Sequence, residues 1–133
     1  MNNNGILLVE ENPGDVEHAL RFLKRENINS KVVVIHDGAE VMDYLLGTGV
    51  YEGQDTVIPA VIIMSLKQPE ICGLQVLWRL RNDDRTKLLP MIFRTSSHEE
   101  QDLVQRYRLG DTCYISKPLD FNQFCDAARQ VGM

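Results

Sequence analysis

Six residues of types that could carry out chemistry stand at or just after the ends of short apolar segments. They are two acids, two hydroxyls and two lysines: Glu10, Glu11, Ser65, Lys67, Thr95 and Lys117. A serine hydroxyl is protonated at neutral pH, so it becomes a nucleophile only beside a base. A glutamate carboxylate could supply that base in principle, but with a reference pKa of about 4.3 it is a weak one. The set indicates a small polar pocket in which acids, hydroxyls and cations meet.

Five short apolar segments, separated by segments of helical periodicity, would position these residues. The predicted strands are Gly5–Glu10, Lys31–His36, Ala60–Met64, Met91–Thr95 and Thr112–Ser116. Continuous apolar strands of this kind are typical of a parallel sheet that is covered on both faces. Strict alternation of strands and helices predicts an α/β fold with a doubly wound sheet and five helices. Such sheets bind their ligands outside the carboxyl ends of the strands.

Signals for helix starts follow three of the predicted strands. Asn12, which precedes a proline, is a typical N-cap. Ser97 with Glu100 three residues later forms a predicted capping box, and Asp120 is a predicted cap of the last helix. The glycine-rich segment Gly47–Pro59 is predicted to be an extended loop before the third strand.

Length and composition exclude several classes of protein. The chain has 133 residues and a net charge of −5, which argues against a general nucleic-acid binder because such proteins carry a basic surface. Its longest mainly apolar stretch, Val57 to Met64, is far shorter than the roughly 20 residues of a membrane span. The three cysteines form no C-x-x-C pair, so reduced thiols are expected. We expect one cytoplasmic domain over residues 1–133 that binds neither nucleic acid nor membrane.

The sequence resembles the receiver domains of response regulators, the phosphorelay proteins of two-component signalling. The matching segments, in order, are LLVEEN (7–12), IIMSLKQPEICG (62–73), Thr95-Ser96 and YISKP (114–118). The NPGD sequence after the first strand and the long loop before the third look most like stand-alone receivers that serve bacterial phytochromes. The resemblance implies a flavodoxin-like (CheY-like) sheet with strand order 2-1-3-4-5.

In this family an aspartate at the end of the third strand takes a phosphoryl group from a kinase histidine. Two acids after the first strand help to bind Mg²⁺, and a Thr or Ser and a Lys contact the phosphoryl group. An aromatic residue before that Lys changes position with the conformational switch. The resemblance places Ser65 at the acceptor position and Lys67 where a backbone carbonyl would contact the metal. The other matching positions are Glu10 and Glu11 for the acids, Thr95 and Lys117 for the phosphoryl contacts, and Tyr114 for the switch aromatic.

A serine at the acceptor position changes the chemistry that the chain can perform. An ionised carboxylate can attack a phosphoramidate in line, whereas a protonated hydroxyl cannot without a base. The sequence contains no aspartate between Pro59 and Gly73, so no shift in register restores one. We therefore predict an atypical pseudo-receiver, without catalytic residues of its own, that is not phosphorylated in the usual way.

The charges of the predicted pocket suggest a further hypothesis about metal binding. Glu10 and Glu11 contribute two negative charges, and Lys117 and Lys67 would cancel them if Lys67 turned inward. In that arrangement the Lys67 ammonium takes the place of the metal, no cofactor is required, and Mg²⁺ binds weakly. The alternative is that Lys67 points into water.

Arg94 interrupts an otherwise apolar strand just before Thr95. Burial of an unpaired guanidinium is costly, so Arg94 either reaches the sheet edge or an acid such as Glu10 or Glu11, or points towards solvent near the strand end. The sequence does not decide between these two positions.

The expected partners are a histidine kinase or another signalling protein. By resemblance, the contact surface is the fourth helix, fifth strand and fifth helix, roughly residues 97–131, through which a homodimer could also form. One rival is a regulator that uses Mg²⁺ and is phosphorylated at an unconventional acceptor, or whose natural aspartate has been replaced at Ser65. A flavin- or nucleotide-binding protein is disfavoured, because the loop after the first strand presents acids where phosphate needs free N–H donors.

Overall fold

The structure is a computed structural model that describes residues 5–26, 31–54, 58–67, 72–107, 110, 112–116 and 121–130. The five strands form one parallel sheet in the order β2-β1-β3-β4-β5, as the sequence predicts. Their bounds are β1 Ile6–Val9, β2 Val32–Ile35, β3 Val61–Ser65, β4 Met91–Thr95 and β5 Thr112–Ser116. The last two coincide with the predicted strands, and the first three differ from them by one residue at each end.

Five helices connect or follow the strands. They are α1 Pro13–Arg25, α2 Val41–Leu46, α3 Gly73–Arg81, α4 His98–Tyr107 and α5 Phe121–Gln130. The predicted N-cap of α1 is confirmed, because the Asn12 side chain accepts a hydrogen bond from the Asp15 backbone at 3.1 Å. The predicted cap of α5, Asp120, lies outside the described residues.

The core has two halves, one on each face of the sheet. On one face, Ile6 and Leu8 of β1 pack with residues of α1 and α5, including Phe22 and Ala127. On the other face, Leu7 and Val9 pack with residues of α2, α3 and α4. Successive strand residues therefore alternate between the two halves, and this alternation determines which polar side chains can meet at the strand ends.

The start of α3 lies unusually close to β4. A Cβ atom added to Gly73 would lie only 2.7 Å from a ring carbon of Phe93 and 3.1 Å from the Leu66 carbonyl oxygen. A larger residue here would push α3 away from the sheet, so glycine permits the close approach.

The predicted loop before β3 is partly ordered into a turn. Residues Gly49–Tyr51 form a 3-10 helix, and the Tyr51 ring packs edge-on against Tyr44 of α2 with 5.3 Å between ring centroids. Among the described residues, no helix is both long enough and apolar enough to cross a membrane.

Candidate functional site

Three buried polar residues meet at the carboxyl ends of β1, β3 and β4. Glu10 follows β1, Ser65 ends β3, and Arg94 is the residue directly paired with Ser65 in β4. Only 2%, 3% and 1% of their respective surfaces are exposed. Each follows a residue that points into the α2–α3–α4 half of the core, so alternation directs all three towards the α1–α5 face.

Glu10 is the centre of this cluster. The Ser65 hydroxyl donates a short hydrogen bond to Glu10 Oε1, and Arg94 Nη1 forms an ion pair with the same oxygen at 3.2 Å. The Asn12 backbone N–H, at the start of α1, donates to Glu10 Oε2 at 3.4 Å. The carboxylate therefore receives hydrogen bonds from β3, β4 and the start of α1, which connects these elements at the tip of the sheet.

The Arg94 guanidinium is buried next to this carboxylate. Burial lowers the pKa of Arg94 from its ordinary value, while the negative charges of Glu10 and Asp15 act in the opposite direction. An arginine starts from so high a pKa that its side chain stays charged at neutral pH even so. Its Nε atom has no hydrogen-bond partner among the described residues, so Glu10 supplies the stabilising contact of a cation that is otherwise withdrawn from water.

The ion pair with Glu10 decides between the two alternatives for the Arg94 side chain, contact with an acid or exposure to solvent. The side chain reaches Glu10, and the alternative of a solvent-directed side chain at the strand end is wrong. The buried position follows from the register, because pairing with Ser65 places Arg94 level with the end of β1, with only β3 between them.

The hypothesis that Lys67 turns inward is wrong. The alternative, in which Lys67 points into water, agrees with the structure. Lys67 is exposed, two residues beyond the end of β3, and it forms no ion pair with any residue that the structure describes. The intervening Leu66 is buried in the α2–α3–α4 half of the core. Arg94 neutralises Glu10 from inside the sheet, so this ion pair does not depend on Lys67.

The remaining predicted site residues are placed as follows. Glu11 is exposed, and it does not share the buried position of Glu10. Lys117, with the proline that follows it, lies outside the described residues. Thr95 is fully buried, and its hydroxyl donates to the Ile115 carbonyl of β5 at 3.2 Å. The roles that the resemblance implies for these three residues stay predictions.

Tyr114, the predicted switch aromatic, is half-buried on β5. Its hydroxyl accepts a hydrogen bond from Gln105 Nε2 of α4 at 3.1 Å. Both residues line a groove of about 400 Å³ between α4, β5 and α5, to which Gln101, Gln123 and Asp126 also contribute. The groove lies on the surface that the resemblance assigns to partner contacts.

The connection from β4 to α4 contains a buried acid that the sequence identified only as a cap. Ser97 accepts a hydrogen bond from the Glu100 backbone at 3.2 Å, which confirms half of the predicted capping box. The Glu100 carboxylate, however, binds Ser96: the Ser96 hydroxyl donates to Oε2 at 2.7 Å and its N–H to Oε1 at 3.3 Å. Glu100 thus ties the residue after Thr95 to the first turn of α4.

The described part of the pocket is a poor site for a divalent metal. Mg²⁺ is usually held by carboxylate and carbonyl oxygens together with water. Here Glu10 Oε1 already carries a guanidinium and a hydroxyl, and Ser65 brings no charge. Among the described residues, no group of three or more His, Cys, Asp or Glu side chains is placed to hold a metal ion.

Comparison with known proteins gives one consistent result. The profile of the response regulator receiver domain matches residues 6–129. Response regulator Rcp1 from Synechocystis sp. is 31% identical over 112 residues, which cover 84% of this chain and 75% of Rcp1.

Solved structures agree in both fold and sequence. The bacteriophytochrome response regulator AtBRR superposes with a TM-score of 0.88 at 43% identity, and the match covers 96% of this chain and 91% of AtBRR. The bacteriophytochrome response regulator RtBRR gives a TM-score of 0.87 at 39% identity, covering 96% of this chain and 77% of RtBRR. The chain belongs to the response regulator receiver domain family of two-component signalling, close to the phytochrome-associated response regulators.

Proposed function

We propose that this chain is a stand-alone pseudo-receiver: a response regulator domain that signals through protein contacts without forming an aspartyl phosphate. The observation that carries this proposal is the side chain at the tip of β3. Ser65 has no carboxylate, and its hydroxyl hydrogen-bonds to the buried Glu10. In this proposal the chain is not an enzyme, requires no cofactor, and works in the cytoplasm without contacting nucleic acid or membrane.

The chemistry of a phosphorelay supports this interpretation. A receiver needs an ionised oxygen that attacks the phosphoramidate and then forms a labile acyl phosphate. A serine would instead form a phosphate ester, which is a long-lived product and unsuited to a signal that resets itself. The buried position of Ser65 also leaves little room for an approaching kinase histidine, since only 3% of its surface is exposed.

The proposed partner is a histidine kinase or another signalling protein of the two-component type. Its relatives AtBRR and RtBRR are bacteriophytochrome response regulators, which supports a phytochrome-type kinase as the partner. The groove between α4, β5 and α5 is the proposed contact surface, and the same surface would serve a homodimer. Its polar lining, which includes Gln101, Gln105 and Asp126, suits a partner that offers hydrogen bonds.

Intact-protein mass spectrometry tests the central part of the proposal. The chain is incubated with a small-molecule phosphodonor and Mg²⁺, beside a conventional receiver that serves as the positive control. We expect no gain of mass in this chain under conditions that label the control completely. Rapid and reversible addition of one phosphoryl group at Ser65 would refute the proposal.

The Ser65–Glu10 hydrogen bond also favours a second candidate function, a regulator that is phosphorylated on serine. A hydroxyl that donates to a carboxylate has the geometry that general-base catalysis requires. Because Arg94 contacts the same carboxylate oxygen, that oxygen is poorly placed to accept the proton. Treatment of any adduct with hydroxylamine separates the two chemistries, since an acyl phosphate is cleaved and a serine ester survives.

A further inference from the structure

We infer that Arg94 is a built-in substitute for the divalent metal: its guanidinium supplies, as a permanent part of the chain, the positive charge that receivers take from Mg²⁺. This inference deepens the proposed function and concerns the same pocket. It assigns a role to a residue that lies inside the sheet and that the family resemblance did not mark.

The position of Arg94 is the first support. Its partner in the β3–β4 pairing is Ser65, the residue at the acceptor position. Its Nη1 atom lies 3.2 Å from Glu10 Oε1, on one of the two acids that would hold the metal by resemblance. The cation thus extends from the strand beside the acceptor position to a metal-binding position.

Burial is the second support. Glu10 and Arg94 are both almost fully withdrawn from water, so their charges interact with little solvent screening. A divalent cation that approached Glu10 would lose part of its attraction to that carboxylate and would be repelled by the guanidinium. Glu11 and Lys67 are exposed, so water and salt screen their charges and they change this balance little.

Ser65 and Arg94 also change the charge of the pocket in the same direction, so their effects on a cation add. Serine removes one negative charge from the end of β3, and arginine adds one positive charge at the end of β4. An aspartate at position 65 with Arg94 still present would pair with the guanidinium, so the metal would still face a partly neutralised pocket. Full metal binding therefore requires both a carboxylate at position 65 and the removal of the Arg94 charge.

Titration calorimetry with Mg²⁺ tests this inference on the folded full-length chain. We expect the unaltered chain and Arg94→Lys to bind Mg²⁺ only weakly, because each keeps a cation beside Glu10. Arg94→Met should raise the affinity by about 10–100-fold, the usual effect of changing a group that contacts a metal ligand. The double variant S65D/R94M should bind more tightly than either single variant.

Arg79→Met is the matched control, because it removes the same charge from an exposed position on α3. Its affinity for Mg²⁺ should equal that of the unaltered chain. Circular dichroism shows whether each variant is folded. If Arg94→Met is unfolded, Arg94→Gln repeats the test with a neutral side chain of similar length.

A second measurement uses Mn²⁺, whose unpaired electrons broaden nearby NMR signals. Broadening should appear around Glu10 in S65D/R94M and be absent from the unaltered chain. The inference is overturned if the unaltered chain binds Mg²⁺ as tightly as S65D/R94M, or if Arg94→Lys binds it as tightly as Arg94→Met. The proposed function fails on a different result, the phosphorylation of Ser65, so the two can be judged separately.

Discussion

The Arg94 guanidinium and the Glu10 carboxylate form an ion pair at 3.2 Å across β4 and β1, with 1% and 2% of their side chains exposed. A buried pair of this kind gains little over apolar residues of the same size, but it is very sensitive to loss of one partner. The stability of the sheet at the carboxyl ends of its strands therefore depends on both residues together.

A double-mutant cycle on this pair should show strong coupling. Glu10→Gln leaves a charged guanidinium without its counterion and should lower the free energy of unfolding by about 3–5 kcal/mol. In the variant E10Q/R94M neither charge remains, so the loss should be smaller than the sum of the two single losses, with a coupling energy of up to about 3 kcal/mol. Urea denaturation measures all four proteins.

The control for this cycle is an ion pair of the same types on the surface. Arg21 and Glu17 of α1 are 78% and 61% exposed. Arg21→Met should change the free energy of unfolding by no more than about 1 kcal/mol, because water and salt screen exposed charges. Equal effects of Glu10→Gln and Arg21→Met would show that the buried pair is not important for stability.

Glu100 should hold the β4–α4 connection in place. Its carboxylate is 4% exposed and accepts two hydrogen bonds from Ser96. Glu100→Ala removes both acceptors and should lower the free energy of unfolding by about 1–3 kcal/mol. Amide hydrogen exchange should accelerate at Ser96 and in the first turn of α4, with little change in β1 or β2.

The neighbouring Glu99 provides the comparison, because it is an exposed glutamate in the same helical turn. Glu99→Ala should leave both the unfolding free energy and the exchange rate at Ser96 nearly unchanged. If the two alanine variants exchange at the same rate, the Ser96 contacts do not restrain this connection.

The sequence predicts some parts of the fold and of the Glu10–Ser65–Arg94 cluster better than others. The strands follow from apolar segments and alternation, and their order from the family resemblance. Glu10 and Ser65 follow from their positions at strand ends. Arg94 could be placed on a strand, but the distance from its long side chain to Glu10 depends on the packing of three strands. The direction of Lys67 stays open between the pocket and water at the level of sequence, because the residue lies beyond β3, where strand alternation no longer determines which way a side chain points.

The turn after α3 should show a pH effect that can be traced to one ion pair. Hydrogen bonds from the Arg85 side chain and backbone lower the pKa of Asp83 from 3.8 to about 2. Because the folded pKa lies below the unfolded one, this contact stabilises the protein above pH 3.8 and stops doing so as the pH falls through about 2. NMR titration of the Asp83 carboxyl carbon should give this midpoint, and Arg85→Ala should return it towards 3.8.

An acceptor carboxylate alone should restore only slow phosphorylation. In Ser65→Asp the introduced carboxylate lies opposite Arg94, and we expect it to pair with the guanidinium instead of helping to bind Mg²⁺. With a small-molecule phosphodonor, S65D/R94M should therefore be labelled faster than Ser65→Asp by about tenfold or more, since the metal stabilises the charge that develops during transfer. Intact-mass measurements over time give both rates.

The control is S65N/R94M, which has a side chain of the same shape as aspartate but no ionised oxygen. It should remain unlabelled, and hydroxylamine should remove the label from S65D/R94M because an acyl phosphate is labile. If Ser65→Asp alone is labelled as fast as the double variant, Arg94 does not compete with the metal. The guanidinium would then be a partner of Glu10 in folding only, and the serine would be the single change that separates this chain from a phosphorylated receiver.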